Sequence, residues 1–208
     1  MGVERLVEAA KMIGVEDVLV LEAVRSVRRA AFVPPEHVAG AYLDEPIPIP
    51  HGQVTTQPSL SARMIAALGL TGREQVLEVG TGFGYQTALL ATLAGFVTSV
   101  ERQPDLAAKA SRTLAAQHFD NVRVVVGDGT EGVPEHAPYD AVLVSAAFPE
   151  VPQPLVEQLR LGGRLVQPIG PGGAEQVTLF QRTVEGLVLL EVLIEAHFVR
   201  LVGHYGYP

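Results

Sequence analysis

Residues 76–85 read VLEVGTGFGY, an apolar run from Val76 to Val79 that carries one acid, Glu78, and breaks into Gly80, Gly82 and Gly84. This spacing predicts a buried strand turning into a helix. Glycines so placed allow a tight turn at positive φ and let the backbone pass close to a ligand. The helix expected over Gln86 to Leu93 then aims unpaired N–H groups at that ligand. Dinucleotide and S-adenosylmethionine (SAM) binders share such a turn, so the details must separate them. The dinucleotide fingerprint G-x-G-x-x-G needs a glycine where this chain has Tyr85, its third glycine coming one position early at Gly84. An acid at Glu78 would also repel a pyrophosphate and suits a cationic ligand. Both details favour SAM. The next strand, Val97 to Val100, ends in Glu101, a carboxylate able to accept two ribose hydroxyls, a feature common to both ligand classes.

Outward from this turn, strands are expected at 76–80, 97–101, 122–126, 140–145 and 164–168, separated by helical stretches. That alternation predicts an α/β fold with a doubly wound, mostly parallel sheet, followed by an antiparallel hairpin of Gln176 to Arg182 with Leu187 to Ile194. Ligands in such folds lie outside the carboxyl ends of the strands, so Glu78, Glu101, Asp128 and Ser145 are expected to rim one crevice. Asp128-Gly129 fits either a contact with adenine or a plain turn. Ser145, Ala146 and Ala147 read as a floor of small residues that a peptide backbone can approach. The segment 197–202 is a candidate for one more strand, and the Gly-Tyr tail beyond it is expected to fray.

The 208 residues and 48% hydrophobic content fit one compact domain, with residues 1–70 contributing helices and an active-site loop and residues 71–208 the α/β core. The absence of cysteine excludes disulfides and thiol catalysis. A formal charge of −8 argues against nucleic acid as a partner. No long apolar run or leader is apparent, so a cytoplasmic monomer off the membrane is expected. Two amphipathic helices are read before residue 30, with Val3, Leu6, Val7 and Ala10 on one face, then Val18, Leu21, Val24 and Val27. Asp17 is placed in the first turn of the second, Arg25, Arg28 and Arg29 form its solvated end, and Phe32-Val33-Pro34-Pro35 stops it. The four-proline stretch 40–58 is a long loop anchored by Tyr42, Leu43, Ile47 and Ile49, leading into a helix over Ser59 to Leu68.

Several separate segments, RAAFVP, AYLDEPIPIPHGQ, TTQP, VLEVGTGFGYQTA, VGDGTEG, APYDAVLVSAA, VPQPLVEQLRLGGRLVQPIG and FVRLVG, occur in a fixed order over residues 29–203. Through them the chain resembles the protein-L-isoaspartate O-methyltransferase family. The resemblance implies methyl transfer from SAM, leaving S-adenosylhomocysteine, to the α-carboxylate of isoaspartyl residues in damaged proteins and peptides. The resulting ester collapses to a succinimide that reopens partly as aspartate. Thr56 takes the place of the family's active-site serine, and Val54 stands two positions before it. The cofactor set expected here is Gln57, Glu78, Gly80, Thr81, Gly82, Gly84, Tyr85, Glu101, Arg102, Asp128 and Gly129. The substrate set is Val54, Thr55, Ser145, Ala146, Ala147, Val199 and Leu201. Arg200 is a second departure, in a segment where similar sequences often carry proline.

An isoaspartyl carboxylate is already ionised at neutral pH, so the reaction needs no general base. Rate then comes from alignment and exclusion of water, worth roughly 7 to 11 kcal/mol in favourable cases. Thr56 is expected to position the substrate, with capping of the following helix by Thr55 or Thr56 as the competing reading. The six histidines lack metal-site spacing, no metal is expected, and His51 reads as a loop residue bonded to backbone. Because of Thr56, two other readings stay open: a methyltransferase for aspartate in one dedicated peptide, and a SAM-binding protein with little catalysis.

Overall fold

The computed structural model describes residues 2–208. Its centre is a seven-stranded sheet built from β3 (Gln75–Val79), β4 (Phe96–Glu101), β5 (Val122–Val126), β6 (Tyr139–Val144), β7 (Leu159–Ile169), β8 (Glu175–Thr183) and β9 (Gly186–Ala196), in the order β5-β4-β3-β6-β7-β8-β9. The pairs from β5 through β7 are parallel, whereas β7–β8 and β8–β9 are antiparallel. The chain therefore steps outward from β3 to β5 and returns to lay β6 on the other side of β3. That reversal opens a crevice beyond the carboxyl ends of β3 and β6.

Residues alternate between the two faces of β3. Val76 joins a core with α1 (Gly2–Met12), α2 (Val18–Ser26), α3 (Pro58–Leu68) and α4 (Tyr85–Leu93), through Leu6, Val24, Met64 and Leu89. Leu77 and Val79 join the opposite core with Val142, Leu155 and Leu165. The remaining helices are α5 (Pro104–Ala116) and α6 (Gln153–Gln158). α4 is apolar nearly all round and buried, which fits a helix roofed by α2 and seated on the sheet.

Five expectations need correction. β5 and β6 are joined by two short 3-10 turns, Gly129–Glu131 and Pro134–His136, and not by an α-helix. α2 stops at Ser26, well before the prolines; Asp17 is its cap and not its first turn, accepting from the N–H groups of Leu19 and Val20. The loop contains a small hairpin of β1 (Pro48–Ile49) and β2 (Gln53–Val54). The tail does not fray: Tyr207 N–H donates to the Leu201 carbonyl, its hydroxyl donates to the Pro171 carbonyl at 2.9 Å, and its ring meets Phe148 edge-on.

Candidate active site

Gly80, Gly82 and Gly84 have φ of 97°, 54° and 90°, a region that β-carbons disfavour, and they wrap the chain from β3 into the first turn of α4. The turn is held from β4: Gly82 N–H donates to Glu101 Oε2 at 2.8 Å, while Oε1 accepts from Gln103 N–H at 2.9 Å. Each oxygen keeps a free lone pair. Glu101 is 7% exposed and lines the crevice together with Thr81, Tyr85 and Arg102.

Glu78 does not rim the crevice. Strand alternation places it on the same face as Val76, beneath α4, where it is fully buried and accepts from Gln86 Nε2 (3.1 Å), Ser99 Oγ (2.6 Å) and Thr87 Oγ1. Burial raises its carboxyl from an ordinary 4.5 to about 7 against the pull of those three donors. A carboxyl that binds its proton more tightly when folded supports the fold fully below about pH 4.5. It loses that support as pH rises to about 7, a change on the order of 3 kcal/mol. Thermal unfolding across this interval should therefore show a falling Tm for the parent and a flatter profile for Glu78→Gln. Parallel profiles would show that Glu78 does not titrate there.

Gln86, which sequence reasoning missed, relays this buried acid to the crevice. Its Nε2 also donates to Ser145 Oγ at 2.6 Å, leaving the serine hydrogen free to point into the crevice. The available signal was a glutamine in the first turn of an otherwise apolar helix.

Arg29 is not a solvated helix end. It is fully buried, and its guanidinium donates to the carbonyls of Ala41 (3.0 Å), Leu43 (2.7 Å) and Glu45 (2.8 Å) and to Thr55 Oγ1 (3.5 Å). It also lies 5.7 Å from the centre of the Tyr85 ring. One side chain thus gathers the proline-rich loop against α4. Thr55 Oγ1 additionally accepts from Ile47 N–H at 3.0 Å, so this hydroxyl is spent inside the loop. Neither threonine caps α3; Asp44 does so from a distance, accepting from Ser59 N–H at 2.8 Å. Asp44 also accepts from Gln57 Nε2 at 2.7 Å, and Gln57, expected at the cofactor, lines a second cavity and not the crevice over the glycine turn. His51, expected on backbone, instead meets the Asp105 carboxylate at 2.9 Å and ties the β1–β2 hairpin to α5.

Thr56 lies between two adjoining cavities. Val54, Thr55, Thr56, Ser145 and Val199 line both, whereas Gly80–Gly84, Glu101, Arg102, Gly129, Ala146 and Leu201 line only the crevice over the glycine turn. Ala147 is buried beneath, its N–H donating to Val199 O and its carbonyl accepting from Leu201 N–H, both at 2.8 Å. It holds the covering segment and does not form the floor. Asp128 also stands outside the crevice. Its carboxylate accepts from Thr130 N–H at 2.8 Å and from His204 N–H at 2.6 Å, clasping the tail. A β-carbon at Gly203 would fall 2.0 Å from its Oδ1, so only glycine fits there. Arg200 lies on the crevice rim with its guanidinium 4.9 Å from the centre of the Tyr207 ring. The described residues contain no cluster suited to a metal ion.

Three buried polar atoms on the crevice wall have no protein partner: Ser61 Oγ, Tyr85 OH and Gln86 Oε1. Buried polar groups are rarely left unpaired, so a polar ligand or water entering the crevice would complete these three. With the open lone pairs of Glu101 and the bare turn, they match a molecule carrying ribose hydroxyls at one end and an amino acid at the other. The fold and this crevice define the SAM-dependent methyltransferases.

Comparison with known proteins narrows the class. The model of the protein-L-isoaspartate(D-aspartate) O-methyltransferase family matches residues 1–206. The protein-L-isoaspartate O-methyltransferase of Methanoculleus marisnigri is 48% identical over 93% of this chain and 88% of its own. That of Anaeromyxobacter dehalogenans is 51% identical over 90% and 91%. A solved protein-L-isoaspartate O-methyltransferase superposes with a TM-score of 0.87 at 29% identity, covering 99% of this chain and 67% of the other. A Plasmodium falciparum beta-aspartate methyltransferase in complex with S-adenosyl-L-homocysteine has the same fold, with a TM-score of 0.80 at 23% identity over 96% and 98%. The chain belongs to the protein-L-isoaspartate(D-aspartate) O-methyltransferase family, which uses SAM to methylate isoaspartyl residues in proteins and peptides and so begins their repair.

Proposed function

We propose that in this repair methyltransferase Thr56 and Ser145 together seat the isoaspartyl carboxylate at the junction of the two cavities. The observation that carries the reading is the position of Thr56, which borders both cavities while the neighbouring threonine is engaged within the loop. Glu101 holds the ribose hydroxyls, and Ser61, Tyr85 and Gln86 receive the amino-acid end of SAM. When bound, SAM supplies a methyl group on a sulfonium, already a strong electrophile. The protein's own work is to orient the carboxylate and exclude water: the hairpin β1–β2 covers one side and Val199–Val202 the other. No general base is needed, since the carboxylate is ionised at neutral pH. Gly129 approaches from β5 so closely that a β-carbon there would lie 2.4 Å from Val79 Cγ1, and it borders the nucleoside end. The acidic chain and its lack of cysteine fit a cytoplasmic protein that does not bind nucleic acid, and no described helix is long and apolar enough to cross a membrane.

The direct test is incubation with labelled SAM and paired peptides that differ only in aspartate or isoaspartate. Label in the isoaspartyl peptide alone is expected, and equal labelling of both would sink the assignment. Thr56 itself is tested by two variants. Thr56→Ser, which keeps the hydroxyl and removes a methyl, should be at least as fast as the parent in single turnovers. Thr56→Val, which keeps the shape and removes the hydroxyl, should be slower by about tenfold, the value of one hydrogen bond. A valine variant as fast as the parent would reduce Thr56 to a spectator.

A further inference from the structure

The second cavity, about 310 Å³, is separate from the glycine turn. It meets the crevice only through Val54, Thr55, Thr56, Ser145 and Val199. Beyond that junction Ile13, Pro46, Leu60, Ile194, Ala196 and Phe198 give it a mostly apolar wall, and Gln57 and Ser59, which also line it, have their side chains engaged with Asp44. Val54 at its mouth is 45% exposed, an apolar side chain waiting to be covered. We infer that this chamber takes an apolar side chain of the residue next to the isoaspartate, making it a specificity-determining subsite of the repair reaction.

The inference rests on the proposed seat at Thr56 and Ser145. A carboxylate lodged there points toward the crevice, and the peptide that carries it must lie on the other side of the junction, where the chamber begins. A peptide backbone needs hydrogen-bond partners, and inside the chamber the Gln57 and Ser59 side chains are already engaged with Asp44 while the rest of the wall is apolar, so the chamber suits a side chain. An aliphatic or aromatic group entering it leaves water, and its contacts with the wall are gained only by a peptide already in reach of Thr56. Glu195 and His197 stand exposed at the chamber's edge, so a cationic side chain is the competing occupant and the test must include one.

The experiment measures kcat/KM for isoaspartyl peptides carrying leucine, glycine or lysine, first on one side of the isoaspartate and then on the other. On one side, leucine should exceed both glycine and lysine by at least tenfold, the scale on which hydrophobic pockets discriminate between side chains. The gain should fall mainly on KM. Filling the chamber with Ala196→Phe should bring the leucine-to-glycine ratio near one, and Ala196→Val should lower it in part. Equal rates across the panel, or lysine as the best neighbour on both sides, would overturn the subsite. Failure to methylate any isoaspartyl peptide would instead refute the functional reading on which the subsite stands. The panel on the parent protein decides the matter even where a variant does not fold.

Discussion

Replacing Glu101 by alanine should weaken SAM binding on the order of 30- to 700-fold, measured by calorimetric titration. The proposed ribose contacts are two charge-assisted hydrogen bonds, together worth about 2 to 4 kcal/mol. The same carboxylate also holds Gly82 N–H at 2.8 Å and Gln103 N–H at 2.9 Å. Its loss therefore releases the glycine turn as well as the ribose, which places the effect toward the upper end. Glu101→Gln should fall between, because the amide retains one acceptor but turns its NH₂ toward a backbone donor. An alanine variant with parent affinity would show that the ribose lies elsewhere.

Arg29→Ala should destabilise the fold by about 2 to 4 kcal/mol, a drop in Tm of roughly 4 to 16 °C. Three loop carbonyls lose their donor, and the chain around Ala41 is too buried for water to replace it fully. Arg29→Lys should recover only part of the loss, since one ammonium cannot span acceptors that the planar guanidinium reaches from two nitrogens. Peptide KM should rise with the fall in Tm, because the loop that Arg29 gathers carries Thr55 and Thr56. A Tm unchanged in both variants would mean that the proline-rich loop holds its shape without the guanidinium.

Much of the fold can be read directly from periodicity and punctuation. The glycine turn after a buried strand, the acid closing β4, the β8–β9 hairpin and the face of α1 are local patterns dictated within a dozen residues by backbone sterics and apolar spacing, whereas α2 leaves Val18 68% exposed and buries Val20 and Ala23 instead. The segments quoted from 29 to 203 sufficed to place the chain in its family. What could not be read locally is where a polar side chain spends its hydrogen bonds. Glu78 is one residue from the turn, yet strand alternation turns it under α4, and only the packed helix supplies Gln86 and Thr87 as partners. Arg29 resembles a solvated helix end until residues 41–55 fold over it. Asp128 looks like a ligand contact until a tail some 75 positions later returns to be clasped by it. Tertiary structure decided these because desolvation forces each buried charge to find partners, and those partners come from strands and loops that are distant in sequence.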